Sequence, residues 1–310
     1  MASYISSIQK AACQVTLLLL AGVVQAQSPS RIAALQTDAQ VLELIRPLGW
    51  EYKEAVLGDS VGAVYSPYRF TRFAVRGGQT WFRADFDQNG RPDLLVLTRR
   101  KEIPFVFCVL DMGHDSLRVV RNFYNAVQRR SPVARVIQQR NQDLLEYADF
   151  ARSRGSRGQL RNRRTQQLAY VSGGFVDYNP KPAQHHIQRV TYESYSVYHQ
   201  AVKTRIVVAE DSSHFWQRRT EIRDSTKVTH QQYHTPLHPA QHQQLSVLLN
   251  YLDFPRLRNA YDKVYRNHHP HVTLTVEYDN GQRKIIEDLN GMGTTGLRRL
   301  YALLYELSMP

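Results

Sequence analysis

The chain has 310 residues, 42% of them hydrophobic and 22% charged, with a formal net charge of +13. That length accommodates two ordinary domains or one large one. Its two cysteines, Cys13 and Cys108, exclude a disulfide-rich framework, and no stretch beyond residue 26 is apolar for long enough to make a membrane-spanning helix.

Residues 1–26 carry one charged side chain, Lys10, then an uncharged run over 11–24 centred on Leu17-Leu18-Leu19-Leu20, and end in Val24-Gln25-Ala26. A positive start, a short apolar centre and small residues at the end predict a secretory signal peptide cleaved after Ala26. The expected location is therefore secreted or periplasmic. Removing Lys10 with the signal leaves +12, a surface that favours anionic envelope polymers or head groups. Cys108 is left alone in the apolar run Phe105-Val106-Phe107-Cys108-Val109-Leu110, the setting of a buried, inert thiol.

In chain order, Thr37-Asp38 offers a cap for a short helix whose apolar face is Val41, Leu42, Leu44 and Ile45, stopped near Pro47. Residues 68–75 have the β-branched and aromatic content of a strand, Gly77-Gly78 turns it, and residues 80–84 lead into Asp85-Phe86-Asp87-Gln88-Asn89-Gly90-Arg91-Pro92-Asp93. Short strands are expected over 94–97, 104–110, 117–123, 133–137 and 168–171. Between the last two, Arg152, Arg154, Arg157, Arg161, Arg163 and Arg164 stand among serines and glycines. This reads as an exposed loop whose guanidinium forks suit phosphate, sulfate or carboxylate; the interleaved aromatics of a specific nucleic-acid surface are missing.

Asn179-Pro180-Lys181-Pro182 reads as a linker, so the chain divides into a β-rich N-terminal domain over 27–180 and a C-terminal domain over 181–310. In the second, strands are expected over 187–192 and 204–209. Pro239 opens a helix faced by Leu245, Leu248, Leu249 and Leu252, Asn280-Gly281 turns a hairpin, and Leu297, Leu300, Tyr301, Leu304 and Leu307 face a closing helix. The expected fold is thus a mostly β N-terminal domain followed by an α+β C-terminal domain, an antiparallel sheet with helices on one face.

The C-terminal part resembles a domain of unknown function from secreted bacterial proteins. The resemblance is carried by Leu248-Leu249-Asn250-Tyr251-Leu252-Asp253-Phe254-Pro255-Arg256-Leu257, by Tyr278-Asp279-Asn280-Gly281 and by Gly293-Thr294-Thr295-Gly296-Leu297-Arg298-Arg299-Leu300-Tyr301. It implies no activity. Many members carry C-F-G-x-C-P where this chain has Val197-Tyr198-His199-Gln200-Ala201-Val202, so any role of that cysteine pair is absent here.

Two places invite metal chemistry. In the Asp85 stretch, Asp85, Asp87, Asn89 and Asp93 occupy positions one, three, five and nine of a calcium-loop count, Gly90 the sharp turn, and Arg91 offers its carbonyl at seven. Val96 stands where a helix-loop-helix site has glutamate, and the stretch resembles instead the D-x-D-x-N-G-x-x-D loops of integrin-type propeller blades. The residues fit a calcium site or an ion-free Asx-rich turn, and both readings stay open. The second place is histidine: His230, His234, His238 and His242 recur every four residues, and His268, His269 and His271 follow. One helix face of four imidazoles would bind a transition metal, but Pro236 and Pro239 interrupt that helix.

No G-x-x-x-x-G-K-[ST] loop and no H-E-x-x-H pair occurs. The expectation is an exported, non-enzymatic binding or scaffold protein, with an envelope-directed enzyme or a histidine-based metal binder as alternatives.

Overall fold

The computed structural model describes residues 30–58, 79–100, 103–121, 130–152, 160–197, 200–221, 226–261 and 270–310. The signal segment, the strand expected over 68–75, and Arg154, Arg157, His268 and His269 lie outside them.

The first layer is helix α1 (Asp38–Ile45), opened as its sequence requires: the Thr37 hydroxyl accepts from the Gln40 N–H, and the Gln40 side chain accepts from the Thr37 N–H. Val41, Leu44 and Ile45 then point onto a five-stranded sheet of β1 (Val56–Leu57), β2 (Trp81–Ala84), β3 (Asp93–Arg100), β4 (Ile103–Asp111) and β5 (Leu117–Val120). Strand β3 is central, taking β1 and β2 along one edge and β4 along the other.

Burial on both faces explains the unbroken apolar run of β3. Leu94 and Val96 face α1, together with Phe107, Val109 and Tyr52. Leu95 and Leu97 face a second sheet, β6 (Arg130–Gln139), β7 (Gln142–Arg152), β8 (Leu160–Val171) and β9 (Gly174–Asp177), across a core that includes Phe86, Cys108, Leu145, Leu168 and Phe175. Cys108 is buried, and burial pushes its thiol far above the ordinary range.

The third sheet has seven strands in the order β13-β12-β11-β10-β15-β16-β14. They are β10 (Ile187–Val197), β11 (Gln200–Val208), β12 (Ser212–Glu221), β13 (Val228–Pro236), β14 (Ala260–Tyr261), β15 (His271–Tyr278) and β16 (Gln282–Asp288). Helices α2 (Pro239–Tyr251) and α3 (Thr295–Ser308) cover its inner face through Leu245, Leu248, Leu249, Leu297, Leu300 and Leu304. Both helices also grip the β8–β9 turn: Ser172 Oγ donates to the Gln244 carbonyl at 2.9 Å, and Arg299 Nε donates to the Ser172 carbonyl at 2.8 Å.

This corrects the expected fold class. The protein is mostly β, with 49% of the chain in strands and three sheets, rather than a β domain followed by an α+β domain. Among the described residues there are only three short α-helices. The expectation omitted β7, whose buried run Leu144-Leu145-Glu146-Tyr147-Ala148 shows no apolar–polar alternation, and β12 and β13, where few positions are both inward and large apolar. The arginine stretch is corrected too: Arg152 ends β7, and Arg161, Arg163 and Arg164 lie on β8, with Ala151 opposite Arg161 and Asp149 opposite Arg164.

Phe86 anchors the β2–β3 loop in the core between the first two sheets, fully buried and edge-on to Phe175 with centroids 5.1 Å apart. Phe86→Ala is therefore expected to cost about 3–5 kcal/mol in a urea unfolding series, the usual penalty for emptying a buried phenylalanine site.

Candidate metal centre

The Asp85 stretch is the loop of a β-hairpin. Ala84 at the end of β2 pairs with Asp93 at the start of β3, so the eight residues 85–92 turn between them. Two residues hold the left-handed conformation that so tight a turn needs, Gln88 (φ 58°) and Gly90 (φ 78°). The side chains of the loop fold inward onto its own backbone. Asp85 accepts from the N–H groups of Asn89 (3.1 Å) and Gly90 (2.9 Å), and Asp87 accepts from the Asn89 side-chain amide at 3.1 Å.

Asp93 is fully buried. One of its oxygens accepts from the Phe86 N–H at 2.9 Å and the other from the Asp111 N–H at 3.0 Å, so it ties the loop to the far end of β4. Asp85, Asp87 and Asp93 each bring one carboxylate oxygen within 4.8 Å of the others. Asn89 turns its side-chain oxygen to the Arg91 N–H at 2.8 Å, and the Arg91 side chain leaves the cluster to pair with Asp111 at 2.9 Å. The three aspartates thus converge, while the side chains of Asn89 and Arg91 brace the turn.

Electrostatics separate the members of this group. Burial, reinforced by the charges of Asp87 and Asp85, pushes Asp93 up to about 7 against the pull of its two N–H donors. Burial raises Asp87 as well. At Asp111 burial also opposes ionisation, but hydrogen bonds from Arg91 and the Ser30 hydroxyl outweigh it and hold the carboxyl below its ordinary value. Two fixed N–H donors are aimed at a carboxylate that burial and its neighbours drive toward neutrality, a conflict that a nearby cation would relieve. A carboxylate oxygen that accepts one N–H keeps a second lone pair for a metal, and the donor set is all hard oxygen, which suits calcium.

Two supporting residues escaped the sequence reading. Asp143, at the start of β7, accepts from the Asp85 N–H at 2.8 Å, and Asp111 receives Arg91. Both come from other hairpins, and nothing near them in the sequence marks a role.

The histidines do not form one face. His230 and His234 lie on β13, His238 precedes α2, His242 lies within it, and His271 on β15 pairs with Glu287 at 2.8 Å. A cavity of about 730 Å³ between the 182–187 segment and α2 collects His185, His186, Glu210, His242 and Asn250. There His185 Nδ1 meets Asp279 at 2.6 Å while its ring packs edge-on to Phe254 and Tyr278, an arrangement that clamps the linker to the β15–β16 hairpin.

Two motif spacings that were expected to be absent, G-x-G-x-x-G and G-x-S-x-G, do occur in the chain. Gly291-Met292-Gly293-Thr294-Thr295-Gly296 has the G-x-G-x-x-G spacing between a strand and a helix. Its N–H groups at Met292 and Gly293 donate to the buried Asp288 side chain at 3.2 and 2.8 Å, so these two donors are taken up within the protein. Gly58-Asp59-Ser60-Val61-Gly62 has the G-x-S-x-G spacing, and Ser60 lies outside the described residues. The strand before it, β1, is a two-residue antiparallel edge, unlike the strand of a nucleophile elbow.

No protein-family model, curated protein or solved structure matches the chain. The metal reading therefore stands on the geometry of the loop.

The raised pKa carries a sign that can be measured. Native Asp93 holds its proton up to about pH 7, whereas an unfolded aspartate releases it near pH 4. Stability of the calcium-free protein is therefore expected to fall as pH rises between those values, by about 4 kcal/mol at most. Denaturant melts in chelator across that window should show the decline, and Asp93→Asn should flatten it.

Proposed function

We propose that the chain is an exported binding or scaffold protein, non-enzymatic, whose first two β layers are locked by a calcium ion at Asp85, Asp87 and Asp93. The observation that carries this reading is the convergence of the three carboxylates beside a fully buried Asp93. An ion there joins the β2–β3 loop to the end of β4, and the Asp85–Asp143 hydrogen bond carries the tie to β7. No described helix is long and apolar enough to cross a membrane.

Thermal melting with calcium and with chelator tests the reading. At a calcium concentration about a hundredfold above Kd, the native state should gain about 2.7 kcal/mol. Asp87→Ala should abolish the gain. Midpoints that ignore calcium in both proteins would remove the cation from the account.

The partner proposed for this scaffold is an anionic envelope component, bound through Arg152, Arg154, Arg157, Arg161, Arg163 and Arg164. What supports it is the density of arginine in the sequence, six within residues 152–164, and the fit of guanidinium groups to carboxylate, sulfate and phosphate. Retention on an acidic polysaccharide column should weaken steeply with salt and shift to lower salt when Arg161, Arg163 and Arg164 are replaced by serine. Equal retention of the variant would exclude this surface.

A further inference from the structure

Strands β12 and β13 run antiparallel with His214 directly opposite His234. The two histidines are 20 residues apart on consecutive strands, and the register makes their imidazoles neighbours. Their Nδ1 atoms lie 3.1 Å apart, the ring centroids 4.3 Å apart, and both residues are exposed. They occupy the face of the seven-stranded sheet turned away from α3, because the alternating neighbours Ser213 and Phe215 are buried, with Ser213 donating to Leu307 and Phe215 packing on Tyr305.

That nitrogen separation is the bite of two ligands on one metal ion. With metal–nitrogen bonds of about 2.0–2.1 Å, a right-angled pair of ligands spans about 2.9 Å and a tetrahedral pair about 3.4 Å, and 3.1 Å falls between them. Without a metal, the same contact requires one ring to donate a proton to the other, whereas a metal uses both lone pairs at once. We propose that His214 and His234 form a two-imidazole chelate for a divalent transition-metal ion of the copper, nickel and zinc class. Imidazole nitrogen suits these ions and is a poor ligand for calcium, so this site is separate in place and chemistry from the Asp85 loop. Solvent completes the coordination. Affinity falls on acidification, because protons compete for both nitrogens.

The test is calorimetric titration of the full chain with Cu²⁺ and with Zn²⁺ at neutral pH, in calcium, comparing the wild type with His214→Ala, His234→Ala and His230→Ala. The expected result is one equivalent bound per chain, weakened roughly a hundredfold by either of the first two substitutions, since each turns a chelate into a single ligand. His230→Ala, on the same strand, should bind like the wild type. The paramagnetic resonance spectrum of the copper complex should show two nitrogen ligands, falling to one in either variant. His214→Gln and His234→Gln keep a polar side chain on the sheet and should lose the site equally. Binding that survives unchanged in both single variants, as it would if the metal sat on the 268–271 histidines, overturns the proposal; so does a wild-type protein that binds neither ion.

Discussion

One carboxylate governs the first half of this molecule. Asp93 opens the central strand of the first sheet, is sealed from water, and accepts one N–H from the loop before it and one from the end of the neighbouring strand. Those donors favour the ion, while burial and the nearby Asp85 and Asp87 favour the acid, and burial prevails. A buried charge left unresolved is expensive, so the loop is built around a conflict that a proton or a cation must settle. Phe86 sinks into the core on one side of the turn, and Asp111 collects Arg91, Gly113 and the Asn89 amide around the other.

The rest of the molecule is held by a different device. The β8–β9 turn, with Ser172 and Gly173 both left-handed, projects from the second sheet into the two C-terminal helices. Arg299 is the post it fastens to. Its guanidinium is nearly buried, donates to the Ser172 carbonyl, and forks onto Glu306 at 2.6 and 2.8 Å. A bidentate, charge-assisted bond with its arginine sheltered from water is worth more than a surface pair, so the contact between the second and third sheets is set by direction as well as by apolar area. The outer face of the third sheet carries no described helix and mixes polar side chains, among them the two facing histidines, with Tyr195 and Ile285.

Much of the local structure was legible from neighbouring residues. The Thr37 cap, the left-handed turn at Asn280-Gly281, the leucine faces of α2 and α3, and the Asp85-to-Asp93 spacing each depend on chemistry within a few positions of the chain. The strands that were missed show the limit of that reasoning. On β12, Ser213, Phe215 and Gln217 are the inward positions, and only one of them is a large apolar residue, so no two-residue hydrophobic period announces the strand. It is held by β11 and β13 on either side, and pairing partners leave no mark in a strand's own composition.

The sequence by itself determined which aspartates belong to one turn, because D-x-D-x-N-G-x-x-D places oxygen ligands and a left-handed glycine within a single loop. Tertiary structure alone decided that Asp93 would be buried, that Asp111 and Asp143 would brace the loop from other hairpins, and that His214 would face His234. The physical reason is the same in each case. Burial and strand register are set by residues far away in the chain, and the ionisation of a carboxylate or the bite of two imidazoles depends on those neighbours.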